Sequence, residues 1–408
     1  MKILFLCHRI PYPPDKGDKI RAFHELRAMA ERHEVDLFTL ADRPEDMACE
    51  EALRQYCKNV TVALINPKAA RLKALPYLLT RTALTLPYFY SNELAGAVQR
   101  ALRSRSYDRI FVYCSSMAQY LKGVEGIPTV IDLVDVDSDK WTQYAGFSAF
   151  PFSAIYRREG RELQRYEREI AGRSSSVVVT TEREAQLMRS ISSSVAVHVV
   201  PNGVDTNYFD PAATPREATA PTVIFTGDMS YFPNQEAVMF FAREVLPLIR
   251  RSVEGARFLI VGRNPGKKVV ELRQIDGVEV TGFVPDVRTY LARAHVAVAP
   301  FTIAAGIQNK ILEAMAYELP VVATSRTRRG LSPEVADLVA MGDTAQELCA
   351  ETIALLKDHQ LAAHRGMEGR RRVKAVYRWE VSLHYLLQLV ENPGAVPVVE
   401  PLVPSCER

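Results

Sequence analysis

The apolar residues of the chain fall into short continuous runs separated by longer stretches with helical periodicity. Ile3 to Cys7 is a run typical of a buried parallel strand, and the prolines of the next loop delay a helix until about Lys19. Apolar positions then recur at helical spacing as far as Ala30, and Val35 to Leu40 forms the next run. Strand, loop, helix and strand in this order predict a parallel α/β sheet.

The same pattern returns in the second half, where residues 295–331 contain a complete β-α-β unit. Val296 to Pro300 is short and β-branched, and a loop with Gly306 follows. Ile307 to Tyr317 has a broad apolar helical face, and Val321 to Thr324 is the next strand. The chain is therefore expected to hold two α/β domains.

Two charged residues interrupt the apolar face of this second-half helix. Lys310 and Glu313 are three positions apart, so they project from one side of the helix near its N-terminus. Unpaired N–H groups and the helix dipole favour a phosphate at that place. A solvated helix face would also carry such a pair, but a position just after a strand, where α/β folds bind ligands, favours a functional role.

Composition excludes several classes of protein. The 408 residues are 48% hydrophobic and 24% charged, and a net charge of +3 is too small to indicate nucleic-acid binding. Six cysteines are scattered without a CxxC or Cys/His cluster, so we expect reduced thiols and no metal site. The first apolar run is too short for a signal peptide, and no uncharged span of membrane length follows. These features predict a cytoplasmic protein.

Two stretches carry a resemblance to a known family. Residues 306–324, GIQNKILEAMAYELPVVAT, resemble the nucleotide-sugar motif of retaining glycosyltransferases with the GT-B fold. Residues 198–209, HVVPNGVDTNYF, are similar to the hinge between the two domains of that family. The alternative is an ordinary Asn-Gly turn, which has the same central residues. The likeness covers nearly the whole chain. More narrowly, the chain resembles sugar transferases associated with exosortase and exopolysaccharide loci.

The resemblance implies an α/β fold of the GT-B type, in which two Rossmann-like domains face each other across a cleft. Residues 1–203 would form the N-terminal, acceptor-binding domain, completed by the helix at residues 378–391. Residues 204–377 would form the C-terminal, nucleotide-sugar-binding domain. Residues 392–408 are rich in Pro and Val and are predicted to be a disordered tail.

The resemblance also implies roles for individual residues. Lys310 would meet the diphosphate, Glu313 would bond the ribose hydroxyls, and Asp135 would lie beside the donor sugar unless it only caps its loop. These three are the predicted catalytic residues. The predicted donor-binding residues are Gly17, Gly227, Arg263, Gly282, Phe283, Val284, Gly306, Ile307, Gln308 and Asn309, together with Lys310 and Glu313. A simple turn is the alternative for Gly17, and a core position is the alternative for Phe283.

The chain departs from the family pattern in two places. Many members carry a second Glu where this chain has Ala305, and most carry an Arg and a Lys after the strand at residues 222–226, where this chain has GDMSY. Neutralising the diphosphate would then fall on Lys310, with Arg263 or Arg328 as further candidates.

The family's activity implies transfer of a sugar from a nucleoside diphosphate donor to a saccharide or lipid-linked acceptor in polysaccharide biosynthesis. The nucleotide sugar would be a co-substrate, and no cofactor or metal is expected. Two alternatives stay open, a nucleotide-sugar epimerase of the same fold and a non-catalytic nucleotide-sugar-binding subunit. A Rossmann dehydrogenase is disfavoured because no GxGxxG follows the first strand of either half.

A basic and aromatic segment in the first half bears on location. Ala69 to Ser106 combines six Lys and Arg residues with many Leu, Tyr and Phe residues. It forms either surface helices packed on the sheet or a surface that contacts the inner face of the cell membrane as a peripheral protein. The second interpretation requires Leu86, Tyr88 and Phe89 to be exposed.

Overall fold

The computed structural model describes residues 1–14, 17–216, 219–302 and 307–393. Within them the chain forms two compact units. The first contains residues 1–201 and the described residues from Ser382 onward, and the second contains residues 202–381. The chain therefore leaves the first unit within the PNGVD stretch, and its last helix ends in that unit. From residue 394 onward, the predicted tail at 392–408 lies outside the described residues.

The first unit is built on a sheet that has seven strands in the described part of the chain, all parallel to their neighbours, in the order β3-β2-β1-β4-β5-β6-β7. The strands are β1 (Lys2–Cys7), β2 (Glu34–Ala41), β3 (Asn59–Leu64), β4 (Arg109–Tyr113), β5 (Thr129–Val134), β6 (Ser176–Val179) and β7 (Ala196–Val199). Its helices are α1 (Gly17–Ala30), α2 (Cys49–Arg54), α3 (Pro67–Ala74), α4 (Thr85–Tyr88), α5 (Asn92–Ser104), α6 (Asp137–Gly146), α7 (Phe152–Gly172) and α8 (Glu182–Ile191).

The second unit repeats this plan with six parallel strands among the described residues, in the order β10-β9-β8-β11-β12-β13. The strands are β8 (Thr222–Thr226), β9 (Arg257–Val261), β10 (Val278–Gly282), β11 (Val296–Ala299), β12 (Val321–Ala323) and β13 (Ala340–Met341). The helices are α9 (Phe232–Phe240), α10 (Leu246–Ser252), α11 (Lys267–Val270), α12 (Arg288–Leu291), α13 (Asn309–Ala316), α14 (Ser325–Arg328), α15 (Pro333–Ala336), α16 (Ala345–Lys357) and α17 (His359–Val376). The last helix, α18 (Trp379–Glu391), begins in this unit and ends in the first.

Element types agree with the sequence pattern, and the differences lie at element ends. Helix α9 begins at Phe232, and Pro233 occupies its first turn, where the fixed φ of proline suits a helix. Helix α13 is shorter than the predicted 307–317 and begins at Asn309.

In each sheet the strand order reverses at one place. β1 and β4 are neighbours at the reversal in the first unit, and β8 and β11 are neighbours at the reversal in the second. Helices that follow the two central strands cross opposite faces of the sheet, so a crevice remains at the carboxyl ends of those strands. His8 and Cys114 follow β1 and β4, and Gly227 and Phe301 lie just beyond β8 and β11. Each unit thus has its own crevice of the kind in which α/β folds bind ligands.

A buried arginine fixes helix α1 to the first sheet. Arg21 is 1% exposed, its Nε donates to Oδ2 of Asp132 at 2.7 Å, and its Nη1 donates to the carbonyl oxygen of Val200 at 2.9 Å. Burial raises the pKa of the neighbouring Glu25 carboxyl well above its usual range, although the charge of Arg21 opposes the rise. Asp132 is therefore the main counter-ion of Arg21, and the pair joins α1, β5 and the residue after β7.

The basic segment at residues 69–106 is divided among α3, α4 and α5. Leu86, Tyr88 and Phe89 are half-buried, and Phe89 packs against the core of the first unit. The membrane interpretation required these three side chains to be exposed, and that requirement is not met. Arg105 forms an ion pair with the buried carboxylate of Asp36. Within the described ranges, no helix is both long and apolar enough to cross a membrane.

Removing the Asp132 carboxylate would leave the Arg21 guanidinium buried without its counter-ion. We expect Asp132→Ala to lower the free energy of unfolding by about 3–5 kcal/mol. Glu182→Ala is the matched control, because it breaks an exposed pair with Arg189 and should cost less than about 1 kcal/mol. Urea unfolding followed by circular dichroism measures both. Equal losses in the two variants would contradict the structural role of Arg21.

Candidate functional site

Two glycines bring the loops after β8 and β9 into direct backbone contact in the second unit. Gly227 has a φ of 155° and Gly262 a φ of 151°. A Cβ atom on Gly262 would lie 1.7 Å from the carbonyl oxygen of Gly227, and one on Gly227 would lie 2.9 Å from Nδ2 of Asn234. Since no side chain fits at either position, backbone groups form the floor of the crevice.

The ammonium group of Lys310 lies over this floor. Lys310 is in the first turn of α13, and its Nζ donates to Oδ1 of Asn234 at 2.9 Å. The same Nζ lies 4.8 Å from the ring centre of Phe225 and 4.5 Å from that of Phe301. Nδ2 of Asn234 donates to the carbonyl oxygen of Asp228 at 2.8 Å, which fixes the orientation of the amide. Lys310 is thus held by one hydrogen bond and two aromatic faces.

The charge of Lys310 is poorly compensated. Burial lowers the pKa of the ammonium group to about 8, and the Glu313 carboxylate offsets only part of this shift. Lys310 forms no ion pair with any residue that the structure describes. A half-buried cation without a carboxylate partner is a strong site for an anionic ligand, because the ligand restores the charge balance that burial removed.

Glu313 lies one turn further along α13. It is half-buried, and burial raises the pKa of its carboxyl while the charge of Lys310 lowers it. Its carboxylate makes no hydrogen bond or ion pair with the described residues. Two acceptor oxygens are therefore free to bind hydroxyl groups of a ligand.

The N-terminus of α13 adds N–H donors beside Lys310. Gln308 precedes the helix without a side-chain cap, and Oδ1 of Asn309 accepts from Nδ2 of Asn202 at 3.1 Å. Ile307, Gln308 and Asn309 are half-buried. The predicted donor-binding Gly306 lies outside the described residues, as does Ala305. Uncapped N–H groups of this kind bind phosphate in other helices.

The segment after β10 leaves an aromatic side chain in solvent. Gly282 ends β10 with a φ of 80°, and its carbonyl oxygen accepts from the backbone N of Gly262 at 3.2 Å. Phe283 is 73% exposed, so the alternative that it is a core residue is wrong. Val284 is partly buried against the core of the second unit. The hydrogen bond to Gly262 links this segment to the glycine floor.

The two arginines considered as further phosphate ligands each have a carboxylate partner. Nε of Arg263 lies 3.1 Å from Oδ2 of Asp228, and Nη2 of Arg328 lies 2.5 Å from Oδ1 of Asp337. Burial acts to raise the pKa of the Asp228 carboxyl, but hydrogen bonds from Ser230 and Asn264 and the charge of Arg263 outweigh it and lower that pKa. Arg263 therefore braces the loop after β8.

A cavity of about 660 Å³ opens at the carboxyl ends of β11 and β12. Its lining residues are Phe240, Phe301, Thr302, Thr324, Ser325, Arg326, Arg328, Arg329 and Asp343. Phe301 also contacts the Lys310 ammonium, so the cavity adjoins that group. The volume lies in the range of small-molecule sites, about 300–1,000 Å³.

Gly17 and Asp135 lie in the first unit. Gly17 is exposed at the start of α1, and the next residue, Asp18, accepts from Nη1 of Arg9 at 2.7 Å. The pKa of the Asp18 carboxyl is held well below its usual range, since contacts with His8 and Arg9 outweigh the effect of burial. Asp18 thus anchors the loop that precedes α1.

Asp135 follows β5 on a strained turn. Val134, a β-branched residue, has a φ of 66°, and Oδ1 of Asp135 accepts from Oγ1 of Thr180 at 3.3 Å. Burial raises the pKa of the Asp135 carboxyl, and the charge of Lys140 opposes the rise. This carboxyl is therefore better suited than an exposed one to gain a proton at mildly acidic pH.

Two buried glutamates hold the chain on either side of this turn. Glu184 accepts from the backbone N of Val136 at 2.7 Å, and Glu167 accepts from the backbone N of Ser138 at 3.0 Å. Burial raises the pKa of Glu184 to about 7 and that of Glu167 to about 8. These carboxyls satisfy the N–H groups at the start of α6, and so keep Asp135 at the edge of the sheet.

The sequence pattern missed several groups that shape the Lys310 site. These are Phe225, Asp228, Asn234, Gly262 and Phe301. The signals were weak, since a polar Asn at a helix start reads as a cap and a Phe at a strand end reads as core. Among the described residues, no three or more His, Cys, Asp or Glu side chains are grouped so that they could hold a metal ion.

Comparison with known proteins assigns both units to families. Residues 220–358 match the family described as Glycosyl transferases group 1. Residues 20–203 match the family described as Glycosyl transferase 4-like domain. The predicted resemblance is therefore confirmed at the level of the family.

Curated relatives share parts of the sequence. The GDP-mannose-dependent alpha-(1-6)-phosphatidylinositol monomannoside mannosyltransferase of Mycobacterium tuberculosis is 28% identical over 243 residues, which are 53% of this chain and 61% of that protein. One subunit of the phosphatidylinositol N-acetylglucosaminyltransferase of Arabidopsis thaliana is 27% identical over 209 residues, which are 49% of this chain and 45% of that protein. The chain thus spans less than two thirds of either relative.

Solved structures match over nearly the whole chain. Sucrose-phosphate synthase from Thermosynechococcus elongatus has a TM-score of 0.69 at 20% identity, covering 96% of this chain and 98% of that one. Anabaena HepE in complex with UDP-glucose has a TM-score of 0.66 at 18% identity, covering 96% and 99%. WaaG, a glycosyltransferase involved in lipopolysaccharide biosynthesis, has a TM-score of 0.63 at 14% identity, covering 96% and 100%. At these identities the likeness shows the fold, and it confirms the predicted GT-B architecture.

The lowered pKa of Lys310 predicts that anion binding at this group depends on pH. A diphosphate binds the protonated amine, so the dissociation constant of a nucleoside diphosphate should rise as pH passes about 8, by up to about tenfold per further unit. Calorimetric titrations of the ligand between neutral and alkaline pH measure this rise. Lys310→Arg is the control, because its charge persists and its profile should stay flat. A flat profile in the wild type would contradict the assignment.

Proposed function

Because the chain belongs to the glycosyltransferases, with a group 1 domain behind a 4-like domain, we propose that it is a retaining hexosyltransferase that works without a metal. It would move a sugar from a nucleoside diphosphate donor to a saccharide or lipid-linked acceptor in polysaccharide biosynthesis. The names of the relatives support a nucleotide-sugar donor, since one is GDP-mannose-dependent and one solved structure holds UDP-glucose.

The observation that carries this proposal is the uncompensated ammonium of Lys310 above the glycine floor. Nζ of Lys310 is tied to Asn234 and faces two rings, so it is held in place before any ligand binds. The backbone N–H groups in the first turn of α13 lie at the same end of the helix as Lys310. Glu313 supplies two acceptor oxygens one turn away. A diphosphate at Lys310 with a ribose at Glu313 uses each of these groups.

In the transfer step, the bond between the sugar C1 and the diphosphate oxygen breaks while a bond between C1 and the acceptor oxygen forms on the same face. The acceptor hydroxyl passes its proton to the departing diphosphate, so no protein base is required. Negative charge grows on the diphosphate as its bond to C1 lengthens. Lys310 and the α13 N–H groups would stabilise that charge, and the benefit is largest in the transition state.

We propose that the acceptor binds the first unit, which contains the 4-like domain. Asp135 is the candidate for a polar contact during transfer, since its half-buried carboxyl lies at the ligand-binding edge of that sheet. We propose that a lipid-linked acceptor would bring the protein to the inner face of the cell membrane as a peripheral protein. Asp135→Asn should lower turnover without changing nucleotide affinity if this role is correct.

The donor itself can be identified by thermal shift. Sugars linked to UDP, GDP and ADP are compared, since a ligand that binds only the folded protein raises the melting temperature. The best donor is then used in every assay below.

Lys310 and Glu313 should affect different steps. Lys310→Ala should lower kcat by about 100-fold or more, because it removes charge stabilisation that grows in the transition state. Glu313→Ala should weaken donor binding by about 1.5–3 kcal/mol, because two hydrogen bonds to ribose are lost. Transfer to acceptor and calorimetric binding of the nucleotide measure the two effects.

Lys357→Ala, an exposed lysine in α16, is the matched control and should change neither value. Unaltered turnover in a folded Lys310→Ala protein would refute the phosphate role. Conversion of the donor sugar with no acceptor present would identify an epimerase instead. Tight nucleotide binding without turnover on saccharide or lipid-linked acceptors would identify a binding subunit.

A further inference from the structure

Two segments of the first unit contain no acidic residue. Residues 67–91 carry Lys68, Arg71, Lys73 and Arg81, and residues 141–158 carry Arg157 and Arg158, but neither segment contains Asp or Glu. The whole chain has 48 Asp and Glu among its 408 residues, so two such stretches in one unit represent a concentration of positive charge. We call the surface that they form the acid-free surface.

Large apolar side chains project from both segments. Leu79 is 95% exposed and Phe150 is 84% exposed. Four neighbours along the chain are also more than half exposed, namely Leu72, Leu75, Phe147 and Phe152. Side chains of this size are normally buried, and exposure of several together marks a contact surface.

Hydrogen bonds hold the two segments side by side. Nη2 of Arg158, in α7, donates to the carbonyl oxygens of Tyr77, Thr80 and Thr82. The neighbouring carboxylate of Glu159 accepts from the backbone N of Leu84 at 2.7 Å and that of Thr85 at 2.8 Å. The loop after α3 is thus fastened to the first turns of α7, so the two segments lie next to each other in the first unit.

The acidic residue that directly follows the second segment, Glu159, does not neutralise this surface. Glu159 is 2% exposed, and both of its carboxylate oxygens accept hydrogen bonds from residues 84 and 85. Lys68, Arg71, Lys73 and Arg81 are exposed, and among the described residues none of the four forms an ion pair. These positive charges therefore face solvent unpaired.

We propose that the acid-free surface docks the protein on a bilayer that contains anionic phospholipid. The lysines and arginines contact lipid phosphates, and Leu79 and Phe150 insert among the headgroups and upper acyl chains. Exposed apolar side chains suit a deformable lipid interface, and the unpaired cations of the same segments match its negative potential. The identity of the lipid-linked acceptor rests on the proposed function, but the docking itself is measured without any acceptor.

The test compares binding to vesicles of phosphatidylcholine alone with binding to vesicles that also contain phosphatidylglycerol. The wild type should float with the anionic vesicles only, and rising salt should release it. A charge variant has Lys68, Arg71, Lys73 and Arg81 changed to Gln. Each basic residue contributes roughly fivefold to partitioning, so this variant should lose roughly several hundred-fold and remain at the bottom of the gradient.

A matched control has Arg27, Arg32, Arg173 and Arg189 changed to Gln. These four are also exposed arginines of the first unit, and each pairs with a glutamate away from the acid-free surface. The control has the same net charge as the charge variant and should bind vesicles as the wild type does. Equal loss in both variants would overturn the proposal, because binding would then follow net charge rather than this surface.

Insertion is tested separately from charge. Phe150→Trp should show a blue shift of tryptophan emission on addition of anionic vesicles, relative to the wild type. Leu79→Ser combined with Phe150→Ser should bind at least tenfold more weakly although its charge is unchanged. Failure of the wild type to float, or an unshifted emission with unchanged binding of the double serine variant, would overturn the proposal.

The two proposals fail independently. Normal sugar transfer to a soluble saccharide by a charge variant that no longer floats would separate docking from catalysis and support both. Normal flotation of a protein that transfers sugar to no acceptor would remove the proposed function and leave the docking surface. Circular dichroism and the thermal shift with nucleotide confirm that each variant is folded.

Discussion

Parallel strands can be joined only by a crossover, and this constraint fixes where chemistry is possible in both units. Each helix returns the chain to the opposite end of the sheet, so every strand ends at the same edge. The order then reverses between β1 and β4 and between β8 and β11. Loops after these central strands are the ones that cannot be covered by a crossover helix. The polar groups of the protein collect there because that edge is where backbone N–H groups and side chains meet solvent.

Two cations withdrawn from solvent, Arg21 and Lys310, show that such a charge can serve either structure or function. Arg21 is fully buried, but Asp132 and the carbonyl of Val200 satisfy it, so its charge joins elements and is unavailable to a ligand. Lys310 is only half-buried, yet it has an amide and two rings rather than a carboxylate around it. The two cations differ in which groups surround them, and this matters more than how deeply each is buried. An incompletely compensated charge is the feature that a diphosphate can exploit.

The first unit shows the same contrast between buried and exposed charge on its outer surface. Glu159 is buried and accepts hydrogen bonds from backbone N–H groups, so its carboxylate does not neutralise the acid-free surface. Arg158 serves as a clamp on the neighbouring loop, whereas Lys68, Arg71, Lys73 and Arg81 point into solvent. Basic residues of this unit thus have two roles, since Arg158 stabilises the fold and the exposed ones form the proposed contact surface.

The sequence by itself determined the two α/β units, the glycine after β8 and the charged pair on α13, because these follow from local periodicity and from a motif of neighbouring residues. It also indicated a basic, aromatic surface, but the side chains named for membrane contact, Leu86, Tyr88 and Phe89, are half-buried in the fold. Only the tertiary structure decided that Asn234 would hold Lys310, 76 residues away, and that residues 67–91 would lie beside 141–158. The physical reason is that such contacts depend on strand order and on hydrogen bonds between distant segments. Local hydrophobic patterns specify which face of an element is buried, but they do not specify which element it meets.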